Sequence, residues 1–241
     1  MIKRIIDIVF SFVGLLLFSP ILILFLILVW RNDKKSPLYI SSRIGKNGKI
    51  FNLIKIRTMT VDADKKGISS TSDNDFRITP IGQKIRKHKI DELTQLFNVL
   101  IGNMCLVGPR PNVKSEVDLY TEIEKELLSV KPGITDFSSI VFSDEGKILE
   151  NKENPDLAYN QLIRPWKSRL GLIYIKHQSI ILDLELMIFT LVALISKPIA
   201  LKWVVKKLKK FDVDKKTIEV ARREKELSPF PPPGLDRIFV E

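Results

Sequence analysis

The chain has 241 residues, and its 39 lysines and arginines outnumber 28 aspartates and glutamates to give a formal net charge of +11. Its length suits one domain with an anchor, and the charge suits a partner that carries phosphates: a nucleic acid, a nucleotide substrate or an anionic membrane surface. A single cysteine, Cys105, excludes an intrachain disulfide framework and a multi-cysteine zinc site, and two histidines leave little material for a histidine metal cluster.

The N-terminal segment from Ile5 to Trp30 is almost wholly apolar. At about 26 residues, or roughly 39 Å as a helix, it is long enough to cross a bilayer. Basic residues flank both ends, which favours a cytoplasmic position for both: Lys3 and Arg4 before, and Arg31, Lys34 and Lys35 after. Ser19 and Pro20 near the middle predict a sharp bend. A re-entrant helix broken at Ser19-Pro20 fits both features, and a kinked spanning helix is the alternative.

The next segment has the pattern of a β-hairpin. Gly45 and Asn47-Gly48 separate two runs rich in β-branched and aromatic residues, so Leu38 to Arg43 is predicted to pair with Ile50 to Ile54. Lys55 and Arg57 follow and share one face if the second strand continues. The polar stretch from Val61 to Asn74 is predicted to be a mobile loop.

Three helices are predicted next. Thr79 can cap a helix with Pro80 at its first position, ending near His88. A second helix is expected from about Asp91 to Gly102, with Asp91 and Glu92 in its first turn. A third is expected from Val113 to Leu128.

The C-terminal half is predicted to be short strand or turn from Ile134 to Ile148 and helical from about Leu157. Ser179 to Ile195 is apolar and short for a span, which indicates a core or interfacial helix. The next helix is predicted to have a basic face on one side and an apolar stripe on the other, formed by Leu201, Val204, Val205 and Leu208. That pattern fits a helix lying on anionic lipid or one packed on its own domain. Ser228 to Gly234, with four prolines, is expected to be extended and disordered.

The pair Asp91-Glu92 has two interpretations. Acidic residues in the first turn of a helix complement its dipole, which explains the pair without chemistry. An ionised carboxylate near cations can also attack phosphorus to give an acyl phosphate, while a second carboxylate holds a divalent metal or manages protons. Guanidinium and ammonium groups suit a diphosphate, although each could also be a solvated surface charge. The candidates are Lys55, Arg57, Arg86 and Arg110, the last held on a stiff turn between Pro109 and Pro111.

These residues occur in an ordered series of motifs that covers nearly all of residues 3 to 195. The series comprises Lys3-Arg4 with Asp7, Ser19-Pro20, Lys55-Ile56-Arg57-Thr58-Met59, Arg77-Ile78-Thr79, Asp91-Glu92-Leu93 with Gln95-Leu96 and Asn98-Val99-Leu100, Leu106-Val107-Gly108-Pro109-Arg110-Pro111, Lys131-Pro132-Gly133-Ile134-Thr135 and Leu182-Asp183-Leu184. The chain thereby resembles the bacterial sugar transferase family, in its monotopic polyprenyl-phosphate phosphoglycosyl transferases, which initiate surface glycan assembly. It resembles the short form, without a multi-span module.

The resemblance implies a mostly helical α+β fold: a re-entrant membrane helix in residues 1–35 and a catalytic domain in 36–195 on the cytoplasmic face of the inner membrane, with amphipathic interfacial helices. Residues 196–241 exceed the family core, and their own pattern predicts a basic amphipathic extension with a proline-rich end. It implies transfer of a sugar 1-phosphate from a UDP-sugar to polyprenyl phosphate, with release of UMP. Asp91 would be the nucleophile of a ping-pong reaction and lie close to Mg²⁺, with Glu92 assisting. Arg86 and Arg110 would be active-site arginines.

Some positions depart from the family pattern. Thr94 stands where many relatives have proline, and the Gly-Trp that commonly follows Thr135 is replaced by 136–139 and 142–145, a region expected to shape sugar choice. The alternatives are a membrane-tethered nucleic-acid-binding protein, which leaves the Asp-Glu pair unexplained, and a non-catalytic scaffold, which would tolerate loss of Asp91. No nucleic acid is expected as a partner, and a homo-oligomer is compatible with the sequence.

Overall fold

The computed structural model describes residues 1–63 and 70–240, and its elements confirm a mostly helical α+β fold. The predicted mobile loop from Val61 to Asn74 lies partly outside these residues. In chain order the elements are α1 Ile2–Asp33, β1 Leu38–Ile44, β2 Ile50–Ile56, α2 Pro80–Lys87, α3 Gln95–Leu100, β3 Cys105–Val107, α4 Lys114–Val117, β4 Gly133–Thr135, α5 Phe137–Val141, α6 Glu145–Ile148, α7 Pro155–Ala158, α8 Arg164–His177, α9 Ile180–Ile195, α10 Lys197–Lys210 and α11 Lys215–Arg222. Short 3₁₀ turns cover Lys46–Gly48, Ile90–Glu92 and Glu124–Ser129.

The predicted hairpin is confirmed. Strands β1 and β2 are antiparallel, with Ile40 opposite Ile54 and Arg43 opposite Phe51. Asn47 and Gly48 in the connection have positive φ angles of 56° and 74°, which asparagine and glycine adopt at little cost. The hairpin therefore forms where the turn residues predicted it.

Helix α1 continues through Pro20, so Ser19-Pro20 does not end the helix, and the predicted sharp bend within it stays a prediction. Pro20 has no N–H to donate to the carbonyl of Leu16, four residues earlier. Ser19 Oγ donates to that carbonyl instead, at 2.8 Å. Because the orphaned acceptor is satisfied, the helix has no need to end there.

Both ends of α1 contact the rest of the chain. Near its start, Lys3 Nζ lies 2.6 Å from Asp183 Oδ2 on α9, and Asp7 Oδ1 accepts from the N–H of Leu106 at 3.0 Å. At its end, Asp33 forms a bidentate pair with Arg57, both bonds 2.7 Å long. Much of the helix between these ends is exposed and apolar, and by length and composition α1 could cross a membrane.

The principal core lies among α5, α8, α9, α10 and α11, with buried residues such as Phe137, Leu170 and Leu186. The predicted helix from Val113 to Leu128 is wrong, since α4 ends at Val117 and a 3₁₀ turn follows from Glu124. Thr121 and Glu124 bond reciprocally, each side chain accepting from the other's N–H, and such a capping box starts a new turn.

Residues 134–148 are only partly as predicted. Strand β4 ends at Thr135, and two short helices, α5 and α6, follow where strand or turn was expected. Asp136 begins α5 by accepting from the N–H of Ser139 at 2.8 Å.

The C-terminal extension packs on the domain. The stripe residues Leu201, Val204 and Leu208 of α10 are buried in the principal core, which corrects the lipid-lying interpretation of this helix. The segment 228–234 is ordered, in contrast to the prediction. The Phe230 ring stacks on Trp166 at 4.4 Å, and the Pro231 carbonyl accepts from Arg169 at 2.9 Å.

Candidate active site

Asp91 and Glu92 lie in a 3₁₀ turn between α2 and α3, because Lys89 has a positive φ of 53° and redirects the chain after α2. The pair therefore precedes α3, which begins at Gln95, and does not form the first turn of that helix as predicted. Thr94 Oγ1 donates to the carbonyls of Ile54, at 2.9 Å, and Asp91, at 3.1 Å. Thr94 thus fastens the turn to β2.

Asn98, within α3, also fastens this part of the chain to β2. Its side chain accepts from the N–H of Ile54 at 3.0 Å and donates to the carbonyl of Asn52 at 2.6 Å. Lys55 follows directly in β2, so its position relative to Asp91 is set by hydrogen bonds between α3 and the strand.

Arg110 reaches the pair from the turn after β3. Strands β3 and β4 are parallel, and Gly108 and Gly133 approach so closely that a Cβ on Gly133 would lie 2.1 Å from the Gly108 nitrogen. Glycine is therefore required at this contact. The Gly133 N–H donates to the Pro109 carbonyl at 2.9 Å, which fixes the residue before Arg110.

The structure brings together four of the predicted residues. Arg110 Nη2 lies 2.7 Å from Glu92 Oε1, and Lys55 Nζ lies 3.4 Å from the same oxygen. Lys55 Nζ is also 3.6 Å from Asp91 Oδ2. The side chains of Asp91 and Glu92 remain 13% and 19% exposed, so a bound substrate can reach them.

The positive charges around Glu92 favour the ionised form of its carboxylate. Burial acts to raise the Glu92 pKa, but the positive charges of Arg110, Lys55 and Lys89 outweigh it and hold the pKa far below its ordinary value. Glu92 in turn raises the pKa of Arg110. Burial lowers the pKa of Lys55, and Glu92 opposes that shift. Glu92 is therefore ionised at neutral pH.

Two predicted phosphate-binding residues make their described contacts outside this group. The Arg57 guanidinium pairs with Asp33 and also donates to the carbonyl of Ser36 at 2.7 Å, so it joins the end of α1 to the domain. Lys55 and Arg57 diverge because β2 ends at Ile56. Arg86 Nη1 lies 3.5 Å from Thr58 Oγ1, and the contacts of the described residues do not connect it to Asp91 or Glu92.

Sequence reasoning missed further charged residues around the pair. Lys89 acts electrostatically on Glu92, and Glu145 acts on both Arg110 and Lys55. Burial and the charge of Arg110 lower the pKa of Arg43 on β1. These residues come from separate parts of the chain. Only Lys89 could have been found from the sequence, because it stands two residues before Asp91.

The donor set fits a magnesium ion shared with a substrate. Mg²⁺ is commonly bound by one or two carboxylates and completed by water and substrate phosphates. Asp91 and Glu92 supply two carboxylates, and over residues 1–63 and 70–240 no cluster of three or more potential His, Cys, Asp or Glu ligands exists. The site thus suits a metal that arrives with a diphosphate, not an all-protein cage.

The two carboxylates have different surroundings. Glu92 is held by Arg110 and Lys55, whereas the ion pair that the described residues give Asp91 is the longer one to Lys55. A carboxylate that is less engaged by donors keeps lone pairs available for attack. The arrangement can therefore present Asp91 to an electrophilic phosphorus while Glu92 fixes the cations that bind its oxygens.

Known proteins match this chain over most of its length. The sequence profile described as bacterial sugar transferase matches residues 1–197. The chain is 35% identical over 200 residues to the galactosyl transferase CpsE of Streptococcus agalactiae, covering 78% of this chain and 41% of that protein. It is 46% identical over 121 residues to a putative undecaprenyl-phosphate N-acetylgalactosaminyl 1-phosphate transferase of Bacillus subtilis, covering 50% of this chain and 65% of that protein.

A third relative is covered over most of its length. The uncharacterized sugar transferase EpsL of Bacillus subtilis is 37% identical over 189 residues, which is 78% of this chain and 84% of that protein. The chain spans less than two thirds of the length of the first two relatives. The profile match over residues 1–197 and the extent of these alignments establish that the chain belongs to the bacterial sugar transferase family.

Proposed function

We propose that the protein transfers a sugar 1-phosphate from a UDP-sugar to polyprenyl phosphate, giving polyprenyl diphosphate sugar and UMP. Two relatives carry names that state such a reaction: UDP-glucose:undecaprenyl-phosphate glucose-1-phosphate transferases of Klebsiella pneumoniae and Escherichia coli, 34% and 36% identical. The observation that carries the proposal is the placement of the Asp91 carboxylate beside Lys55, while Glu92 forms ion pairs with Lys55 and Arg110.

In the first half-reaction an Asp91 carboxylate oxygen attacks the β-phosphorus of the UDP-sugar. A bond forms between Asp91 and phosphorus, and the bond from phosphorus to the oxygen bridging to the α-phosphate breaks, so UMP leaves with that electron pair. Lys55 and Arg110 suit the negative charge on the phosphoryl oxygens, because ammonium and guanidinium groups stabilise it in a partly buried site.

In the second half-reaction a phosphate oxygen of polyprenyl phosphate attacks the same phosphorus. The bond to Asp91 breaks and the carboxylate is restored, so the protein is unchanged after one cycle. Glu92 keeps Arg110 and Lys55 oriented in both steps. Magnesium, when bound with the diphosphate, would supply further neutralisation of phosphate charge at Asp91 and Glu92.

The contacts of α1 support a site at a membrane surface. Lys3 and Asp33, at opposite ends of the helix, both pair with residues of the domain. A spanning helix places one end on the far side of the bilayer, away from a domain on the near side. Contacts at both ends favour a helix that enters and leaves on one face, which we assign to the cytoplasmic side of the bacterial inner membrane because basic residues flank both ends.

Helix α9 supports the same membrane surface. Its acidic residues point to partners within the protein, Asp183 to Lys3 and Glu185 to Lys207. The helix also exposes an apolar row: Ile181, Ile188, Leu191, Leu194 and Ile195. A helix with paired charges inward and an exposed apolar face suits the bilayer interface, close to where a polyprenyl phosphate would present its head group.

The activity test measures UMP. Purified protein with magnesium, polyprenyl phosphate and a panel of UDP-sugars is expected to release UMP from at least one of them. Asp91→Asn should abolish release, because an amide is not a nucleophile at phosphorus. Asp118→Asn, which alters an exposed carboxylate paired with Lys114, should leave the rate unchanged. Undiminished turnover in Asp91→Asn would refute the assigned nucleophile.

Intact-mass measurement tests the covalent step. Wild-type protein given the active UDP-sugar without polyprenyl phosphate should gain the mass of one phospho-sugar, and Asp91→Asn should not. Release of UMP only when both substrates are present, with no adduct, would indicate direct transfer and overturn the ping-pong mechanism.

Single-cysteine labelling tests the membrane topology. Ile2→Cys and Lys35→Cys place thiols at the two ends of α1, and the native thiol of Cys105 is buried with its pKa raised to about 12 by burial and then by Asp7. In oriented vesicles both engineered thiols should react from one side with a membrane-impermeant maleimide. Labelling from opposite sides would establish a spanning helix.

A further inference from the structure

A second carboxylate–cation pair lies beside the site and has no place in the proposed phosphate chemistry. Glu145, the first residue of α6, forms an ion pair with Lys167 of α8. Lys167 Nζ also lies 5.2 Å from the centre of the Tyr159 ring. The Glu145 side chain is 33% exposed and that of Lys167 is 14% exposed, so the pair is partly buried and still open to a ligand.

This pair belongs to the same electrostatic centre as Asp91. Burial acts to raise the Glu145 pKa, but Lys167, Arg110 and Lys55 outweigh it and hold the pKa below its ordinary value. Arg110 and Lys55, however, make their short ion pairs with Glu92. Glu145 therefore lies within range of the phosphate-binding cations, while its own direct partner is Lys167.

The chemistry of the pair suits hydroxyl groups. A carboxylate repels a phosphate, so Glu145 is unsuited to the diphosphate, but it accepts hydrogen bonds from hydroxyl or amide donors. The Lys167 ammonium donates to hydroxyl or carbonyl oxygens. The Lys167 ammonium lies over the ring of the buried Tyr159, and this cation–π contact helps to fix the direction in which it donates.

We propose that Glu145 and Lys167 form the sugar subsite, where they hydrogen-bond the hydroxyl or acetamido groups of the sugar that is transferred. This assignment rests on the proposed function and deepens it. It places sugar discrimination on α6 and α8, near the phosphate-binding cations Arg110 and Lys55. A site built to bond a substrate hydroxyl discriminates strongly against a sugar that lacks it, because its buried polar groups are then left unpaired.

The extension beyond the family match supports both members of the pair. Asp144, directly before Glu145, is held by Lys197 at 2.6 Å and by Arg223 at 3.6 Å. Trp166, directly before Lys167, stacks on Phe230 with ring centres 4.4 Å apart. The profile match ends at residue 197, so Arg223 and Phe230 lie outside it. The extension thus acts as a positioning element for the subsite.

The experiment compares UDP-sugar with UDP, which carries the diphosphate and no sugar. Glu145→Gln should raise the KM for the preferred UDP-sugar by about tenfold or more, while the inhibition constant of UDP changes by less than about twofold. Lys167→Met should show the same split. Glu122→Gln, an exposed carboxylate paired with Lys125, is the matched control and should change neither constant.

The outcomes separate this inference from the proposed function. Failure of the wild type to release UMP from any UDP-sugar would refute the function itself. Normal wild-type activity with equal changes for UDP and UDP-sugar in Glu145→Gln, or with no change in either variant, would refute the sugar subsite. Thermal unfolding of each variant identifies one that fails to fold, and Lys167→Met then decides the question independently of Glu145→Gln.

The role of the extension is tested at Phe230. Phe230→Ala should raise the KM for the UDP-sugar and leave UDP inhibition unchanged, and Phe230→Tyr should restore the KM because it keeps the ring on Trp166. A loss of activity that affects UDP and UDP-sugar alike, or one that Phe230→Tyr does not restore, would show a general stabilising role and refute the positioning.

Discussion

Glu92 is the residue on which the arrangement of cations in the site depends. Its carboxylate lies 2.7 Å from Arg110 and 3.4 Å from Lys55, and these two residues come from different strands and turns. Removing a partner from a largely buried group of charges leaves the others uncompensated. The acidic pair is therefore asymmetric: Glu92 organises the site, and Asp91 is the group left to react.

Glu92→Gln tests this role through pH. Because the folded-state pKa of Glu92 lies below its ordinary value, its ionised form contributes stability above the unfolded pKa, near 4.3, and that contribution is lost as pH falls below it. At pH 7 the variant should be less stable than the wild type by roughly 1–3 kcal/mol. The difference should shrink as the pH is lowered from about 6 to 3.

The measurement is denaturant or thermal unfolding in detergent at several pH values. Glu116→Gln offers a contrast, because burial raises the Glu116 pKa, so its ionised form does not add stability as pH rises. A stability difference for Glu92→Gln that is constant over this pH range would contradict an ionised Glu92 held by its cations.

Sequence reasoning at this scale identified Lys55, Arg110, Asp91 and Glu92, which the structure brings together. Motif order carried that information. It could not separate Arg57 from Lys55, because the divergence of the two side chains depends on where β2 ends and on Asp33, 24 residues earlier. The ion pair of Glu145 with Lys167 was not predicted, because short motifs do not indicate which residues distant in the chain are in contact.

At the scale of elements, the sequence predicted correctly those boundaries that are set by residues close together in the chain. The Thr79 cap and Pro80 set the start of α2, and Asn47-Gly48 set the hairpin turn. Helix α1 continues through Pro20 because the loss of one backbone donor is compensated by one hydroxyl, from Ser19. The helix from Val113 was wrong because Glu124 bonds Thr121 and the buried Arg164.

Helix α10 shows an ambiguity that its sequence could not resolve. An apolar stripe opposite lysines fits lipid or a protein core equally well, and the decision depends on the surface that α5 and α9 present to it. In the structure Val204 and Leu208 are fully buried in the core. The basic face then points to solvent or to partners such as Glu185.

Leu208→Ala tests which of the two environments the stripe occupies. Truncating a buried leucine should destabilise the protein by about 2–5 kcal/mol, whereas an alanine on a lipid-facing stripe would chiefly weaken membrane binding. Unfolding and vesicle co-sedimentation distinguish these results. Lys209→Ala, on the exposed face of the same helix, should change stability by less than about 0.5 kcal/mol. Unchanged stability in Leu208→Ala would contradict the observed packing.

At the scale of the whole molecule, the family match and the folded unit have different lengths. The profile match ends at residue 197, yet Ala200, Leu201, Val204, Leu208 and Ala221 lie in the principal core. The motifs within 3–195 predicted the family, but they carried no information on how residues 196–241 pack. Their contacts are long-range, such as those of Phe230 with Trp166 and of Thr121 with Pro233.

Truncation tests whether the extension completes the core. A chain ending at Lys197 loses α10 and α11 and exposes the surfaces that they cover on α5, α8 and α9. Leaving several buried aliphatic side chains without partners costs about 2–5 kcal/mol each, and the sum exceeds the roughly 5–15 kcal/mol by which domains are stable. The truncated protein should therefore aggregate or bind a hydrophobic dye, although it retains all of Asp91, Glu92, Lys55 and Arg110.

A shorter truncation provides the control. A chain ending at Ser228 keeps α10 and α11 and loses the stack of Phe230 on Trp166 and the bond from Arg169 to the Pro231 carbonyl. Because Phe230 is only partly buried against the principal core, this chain should fold with a lowered melting temperature and keep UMP release at a raised KM for the UDP-sugar. Full stability and activity in the chain ending at Lys197 would show instead that residues 1–197 form a complete folding unit.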